Sequence, residues 1–225
     1  MGLGWFIMMK SNIITRERGG IVFSHDGRLF KVMEVIGNIC FLNVLWLISS
    51  LPIITIPVST AAMLGVIKDL SEGNEPSLTK AFYRYFKKYF KKSSVIGLLQ
   101  FLIGVILVAD LLVMWNLEGV IRYIMFPLFG LLTMIFLFMS FYIYPLLVDF
   151  DMSYKELIKN SFYLCTTRPA TPIIMFLFIS IIIFTCTFIP FLPILCTFSL
   201  LGLVNYYTCK RTISKKLLLN KGVCI

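Results

Sequence analysis

Six apolar runs, each near the length needed to cross a bilayer, alternate with short connectors in this chain. No other feature limits its possible folds as strongly. A helix needs about 20 apolar residues to cross about 30 Å of hydrocarbon. The runs cover residues 32–50, 54–70, 94–115, 123–148, 171–190 and 192–209. Backbone polar groups in lipid must be satisfied within the segment, so runs of this length are expected to be helical. Composition agrees. Of 225 residues, 59% are hydrophobic and only 14% charged, where a soluble domain carries about 25% charged residues. Too little polar surface remains to coat a water-soluble body. The expected fold is therefore all-α, a polytopic transmembrane helix bundle of about six spans in three hairpins with cytoplasmic amphipathic helices. The second run is the weakest span, because Pro52 and Pro57 interrupt its start and Lys68 and Asp69 mark its end. It also reads as a re-entrant or interfacial piece, and its Ala61-xxx-Gly65 pair favours close helix packing.

The distribution of charge sets the expected orientation. The chain has 21 Lys and Arg against 11 Asp and Glu, a net charge of +10. All but one of the basic residues fall in 1–31, 68–92, 149–169 and 210–225; the exception is Arg122. Short connectors rich in Lys and Arg stay on the cytoplasmic side. Six spans with both termini inside place all four basic segments there, whereas five would send one of them out. The expected location is a cell membrane, with both termini cytoplasmic. The outward links, around Leu51-Pro52, at 116–122 and between Pro190 and Pro193, are too short to form an external domain. Basic residues flanking apolar runs point to anionic lipid headgroups rather than nucleic acid.

The connector at 71–92 carries the most information. After a polar turn containing Gly73 and Pro76, residues 78–92 have helical period. Leu78, Phe82, Tyr85, Phe86, Tyr89 and Phe90 share one face, and Lys80, Arg84, Lys87, Lys88 and Lys91 take the other. An aromatic stripe backed by cations is the pattern of a helix lying in the headgroup plane, and also of a docking surface for a partner. The next inner connector echoes it: Ser153 and Glu156 have capping-box spacing, and Pro169 and Pro172 end the helix. Both connectors follow a span ending near an aspartate, Asp69 or Asp149, which hints at an internal duplication.

Catalytic patterns are not found. The single histidine, His25, supports neither a histidine zinc site nor a serine triad, and no phosphate-binding glycine loop is present. No enzyme activity, metal or cofactor is expected. Asp149 and Asp151 read as a helix-ending turn. The six cysteines form no CxxC pair, and most lie in or beside apolar runs as small buried residues. Within the runs, Asn38, Asn43 and Gln100 are candidates for interhelical hydrogen bonds. Asp110 is the one carboxylate well inside a span, and an intramembrane acid is a functional candidate. The apolar start, Met1 to Met9, lacks the features of a cleavable signal peptide.

From Gly27 onward the chain resembles the YesL family of bacterial membrane proteins, also called domain of unknown function 624. The resemblance rests on Gly27-Arg28-Leu29-Phe30 and Phe41-Leu42-Asn43-Val44-Leu45-Trp46. It continues in Leu51-Pro52-Ile53-Ile54-Thr55-Ile56-Pro57, Thr60-Ala61-Ala62-Met63 and Phe82-Tyr83-Arg84-Tyr85-Phe86-Lys87. Pro57 departs from the glycine often found there in the family. The likeness divides the chain into an N-terminal cytoplasmic extension, 1–26, and a single transmembrane domain, 27–225. It implies that the membrane is a bacterial cell membrane. It also implies an accessory or regulatory subunit associated with a carbohydrate ABC importer, with membrane lipids and permease subunits as partners. A small stand-alone transporter or channel is the alternative. It would line a polar path with Asn43, Gln100 and Asp110.

Overall fold

The structure is a computed structural model. It describes residues 28–74, 77–116, 119–150, 152–188 and 191–219. The described residues are almost wholly helical. The helices are α1 (Arg28–Ser49), α2 (Ile56–Ser71), α3 (Leu78–Asn116), α4 (Val120–Phe150), α5 (Tyr154–Thr167), α6 (Ala170–Phe188) and α7 (Phe191–Leu219), with a 3-10 turn at Ile53–Thr55 before α2. The chain divides into two compact units, Met1–Val35 and Ile36–Ile225. Of the first, only the opening turns of α1 are described. The N-terminal extension, His25 and Asp151 lie outside the described residues, as do the side chains of Cys186 and Cys196. The buried core of the described residues lies wholly in the second unit.

Helices occupy all six apolar runs. The stretches Ile53–Ser71, Leu78–Asn116 and Arg122–Phe150 are long and apolar enough to cross a membrane. A fourth candidate is formed by Tyr154–Thr167 with Ala170–Thr185, which are bent by 80° at their junction. The chain is thus an all-helical membrane protein with three to four such segments among its described residues.

The run with the weakest span signal forms the centre of the unit. Val58, Ala61, Ala62 and Val66 of α2 are fully buried. Its small residues explain this placement, because side chains that barely project let neighbouring backbones approach. A Cβ on Gly65 would lie 2.5 Å from the Tyr85 ring, and one on Gly97 would lie 2.0 Å from Pro57. Those contacts seat α2 against α3. A Cβ on Gly202 would lie 2.5 Å from the Met63 methyl, which brings α7 equally close to α2. Trp46 joins α1 to the same core: its indole N–H donates to Thr60 at 3.2 Å, and its ring stacks on Phe198 at 4.0 Å. The family-like Trp46 and Thr60 thus meet in space.

The basic helix at 78–92 differs from its expected form. It continues without a break into the next apolar run, making α3 a single rod of 39 residues. No Pro or Gly falls between Leu78 and Ser94 to end it. Its aromatic face is turned inward. Phe82 and Tyr89 are buried in the core, and Leu78, Tyr85 and Phe86 pack against it. Phe90 remains exposed. The stripe that reads as lipid-facing is the seam with α2, since a core and a headgroup layer both accept an amphipathic face. The 80° bend after α5 puts that helix, rather than 78–92, crosswise to its neighbouring span.

Candidate functional site

Two ion pairs of the second unit lie at the basic end of the bundle, where α2 and α4 finish and α3 begins. A carboxylate at a helix C-terminus faces the negative end of the helix dipole and needs a cation nearby. Both terminal aspartates have one. Asp69, in the last turn of α2, accepts from Arg84 at 2.7 Å and from the Tyr85 hydroxyl at 2.7 Å. Asp149, in the last turn of α4, pairs with Lys68 at 3.5 Å and accepts from the Tyr206 hydroxyl at 3.0 Å. The two sites share a plan of carboxylate, cation and tyrosine, and adjacent residues 68 and 69 link them.

Further bonds knit the same level together. Lys68 also donates to the carbonyl of Val148 at 3.2 Å, and the Tyr89 hydroxyl donates to that carbonyl at 3.3 Å. Lys210 on α7 donates to Ser71 at 3.1 Å and lies over the Tyr206 ring at 5.4 Å. Gly73, at φ +81°, turns the chain from α2 toward α3 in the left-handed conformation that suits glycine. The layer therefore joins α2, α3, α4 and α7. The Lys68–Asp149 pair is the more enclosed, with side chains 23% and 13% exposed, whereas the Arg84 side chain is 63% exposed.

The capping box expected at Ser153 forms. Glu156 accepts from the Ser153 N–H at 3.0 Å and from its hydroxyl at 2.8 Å. The Ser153 hydroxyl, and then its backbone N–H, hold the Glu156 carboxyl below the ordinary carboxylate range.

The four intramembrane polar candidates do not share one location. Asn43 is fully buried and accepts from the backbone N–H of Ser199 on α7 at 3.2 Å. Gln100 bridges α3 to α4, donating to Ser140 at 3.0 Å and accepting from Tyr144 at 2.7 Å. Asn38 is half-buried on α1, and Asp110 is half-buried near the far end of α3. Along the docking helix, Leu78, Phe82, Tyr85, Phe86 and Tyr89 belong to the core or pack on it, whereas Phe90 is exposed. Lys87, Lys88 and Lys91 are exposed. The sequence marks Lys68, Asp69 and Asp149 only as span ends and gives no role to Tyr206, Ser71 or Lys210. The one signal it holds is an aspartate in the final turn of two helices, which demands a cation. Cys165 and Cys209 are buried free thiols.

Buried helix seams and carboxylates neutralised within a charged end layer, together with apolar helices of crossing length, define a helical integral membrane protein. The family profile described as "Protein of unknown function, DUF624" matches residues 39–111, which hold half of α1, all of α2 and most of α3. The chain is 28% identical over 142 residues to the uncharacterized protein YesL of Bacillus subtilis, a match covering 61% of this chain and 66% of that protein. It is 33% identical over 150 residues to the uncharacterized protein YteU of the same organism, covering 62% of this chain and 66% of the relative. Each match thus covers just under two thirds of the relative's length. The chain belongs to the DUF624 family, the group that includes YesL. No solved structure matches it.

Proposed function

We propose that this chain is an accessory or regulatory membrane subunit associated with a carbohydrate ABC importer. In this reading it is a multi-pass protein of the bacterial cell membrane. Six apolar segments form three hairpins entering from the cytoplasmic side, and both termini and the basic connectors are cytoplasmic. One observation carries the functional part. Beyond Gln100, α3 and α4 form an apolar arm flanked mainly by each other. Val105, Ile106, Leu131 and Leu132 are all at least half exposed. Such an arm has surface to offer a neighbouring membrane subunit through lateral packing, and the cationic face at the basic end lies where cytoplasmic partners dock. A stand-alone transporter needs its polar residues on a common path. Asn43 and Gln100 serve different helix pairs, which supports the accessory reading.

Purification from native membranes in mild detergent tests this. Permease subunits of a sugar importer are expected to elute with the chain, and deleting the chain is expected to change sugar uptake. Recovery of the chain alone, with uptake unchanged on deletion, would overturn the proposal.

A further inference from the structure

We infer that the α1–α2 hairpin stops partway through the bilayer, with its apolar tip embedded among acyl chains beside α3. The inference rests on the chain being a membrane protein and is independent of any link to sugar transport.

The length of α3 provides a ruler. Lys91 and Lys92 are its last cations, and Trp115 and Asn116 end it. Residues 93–114 between them rise about 33 Å at about 1.5 Å per residue, close to the hydrocarbon thickness of about 30 Å. The α4 helix runs antiparallel through the same depth. Gln100 bonds Ser140, a Cβ on Gly104 would lie 3.7 Å from the Phe136 ring, and Trp115 meets Phe126 at 5.9 Å. At the far end Arg122 lies over the Trp115 ring at 5.0 Å, and Tyr123 is exposed beside it. Aromatic and cationic residues of this kind mark a membrane–water boundary.

Against that ruler α2 is displaced toward the basic end. Asp69 pairs with Arg84, and Pro57 packs where a Gly97 Cβ would stand. The spacing of these contacts is nearly equal on the two helices, so their axes run side by side. Pro57 therefore sits only five residues past Lys92, and α3 continues another 18 residues from Gly97 to Trp115. Allowing four residues from Pro57 back to Ile53, the tip ends about 13 Å beyond Lys92 and about 20 Å short of Trp115.

The chemistry of the tip fits hydrocarbon. Leu51, Ile53 and Ile54 are 80%, 77% and 74% exposed, with no charged side chain among residues 35–67. Irregular backbone in lipid must satisfy its polar groups locally, and much of the tip does so. Ser49 donates to Leu45 O at 2.8 Å, and Ser50 N–H donates to Trp46 O at 2.9 Å. The Ser50 hydroxyl also donates to Trp46 O. Thr55 N–H donates to Pro52 O at 2.8 Å, while the Thr55 hydroxyl lies 2.6 Å from the carbonyls of Ser49 and Pro52. Pro52 and Pro57 bring no N–H that would need a partner. A turn at the outer water surface has less need of these internal bonds.

Tryptophan depth tests the inference. In the full chain with Trp5 and Trp115 replaced by Phe, Ile53→Trp adds an exposed indole, while buried Trp46 provides a constant background. The protein is reconstituted in vesicles of phosphatidylcholine brominated either near the headgroup or deep in the acyl chain. The added indole is expected to lose more emission to the deep bromines, whereas native Trp115, read in the Trp5→Phe chain, loses more to the shallow ones. Equal or greater loss to shallow bromines at position 53 would overturn the inference. Leu51→Trp, on the same exposed tip, provides a second probe if the first variant does not reconstitute.

Discussion

At the scale of single residues, the helix seams depend on missing atoms. Gly97→Ala drives a methyl into Pro57, and Gly65→Ala drives one into the Tyr85 ring. Overpacking of this kind costs about 1–3 kcal/mol. At Gly130 nothing lies within 4 Å of the place a Cβ would take, so Gly130→Ala is expected to be neutral or to gain about 0.5–1 kcal/mol from reduced chain freedom. Thermal stability in mild detergent, followed by size-exclusion recovery, separates the three. The ion pairs divide in the same way. Lys68→Met and Asp149→Asn remove two halves of one enclosed interaction and are expected to be strongly non-additive. Arg84→Gln, at an exposed side chain, is expected to cost no more than about 1 kcal/mol. A double-mutant cycle at 68 and 149 that adds linearly would mean the pair contributes nothing.

At the scale of elements, α5 begins on its capping box, and Ser153→Ala is expected to weaken that start by about 1 kcal/mol. The sign of its pH dependence follows from Glu156. A carboxyl whose pKa is lowered on folding contributes stability above its unfolded pKa, and loses it as pH falls through the folded value. Hydrogen-exchange protection of the first turn of α5, corrected for intrinsic rates, is therefore expected to fall below the ordinary carboxylate range. It is expected to show no such acid step in Glu156→Gln. The α3 helix is tested by breaking it. Ser94→Pro removes a backbone donor in mid-rod and is expected to cost about 3 kcal/mol or more, whereas two helices meeting near residue 93 would tolerate proline at the junction.

At the scale of the whole molecule, the apolar arm and the basic end answer to different solvents. Val105→Arg or Leu132→Arg places a charge at mid-arm and is expected to cost about 2.5–3.5 kcal/mol of insertion, read as loss from the membrane fraction. Tyr83→Arg, exposed at the basic end, is expected to insert normally. Helix positions were legible in the sequence because length and hydropathy report what hydrocarbon requires. The burial of α2 was less so. Its Ala61, Ala62 and Gly65 lower the hydropathy that flags a span, although the same small side chains suit the centre of a bundle. The aromatic face of 78–92 was visible as a face, but periodicity does not say whether lipid or protein covers it. The end layer stayed hidden because Asp149 finds Lys68 and Tyr206 only after three helices meet.

The unbroken α3 rod also works as a beam. At about 58 Å it is nearly twice as long as the hydrocarbon is thick, so a tilt of about 5° imposed at its foot would swing its tip by about 5 Å. Whatever grips Arg84 and its neighbours on one side of the membrane thereby gains mechanical leverage over Trp115 on the other.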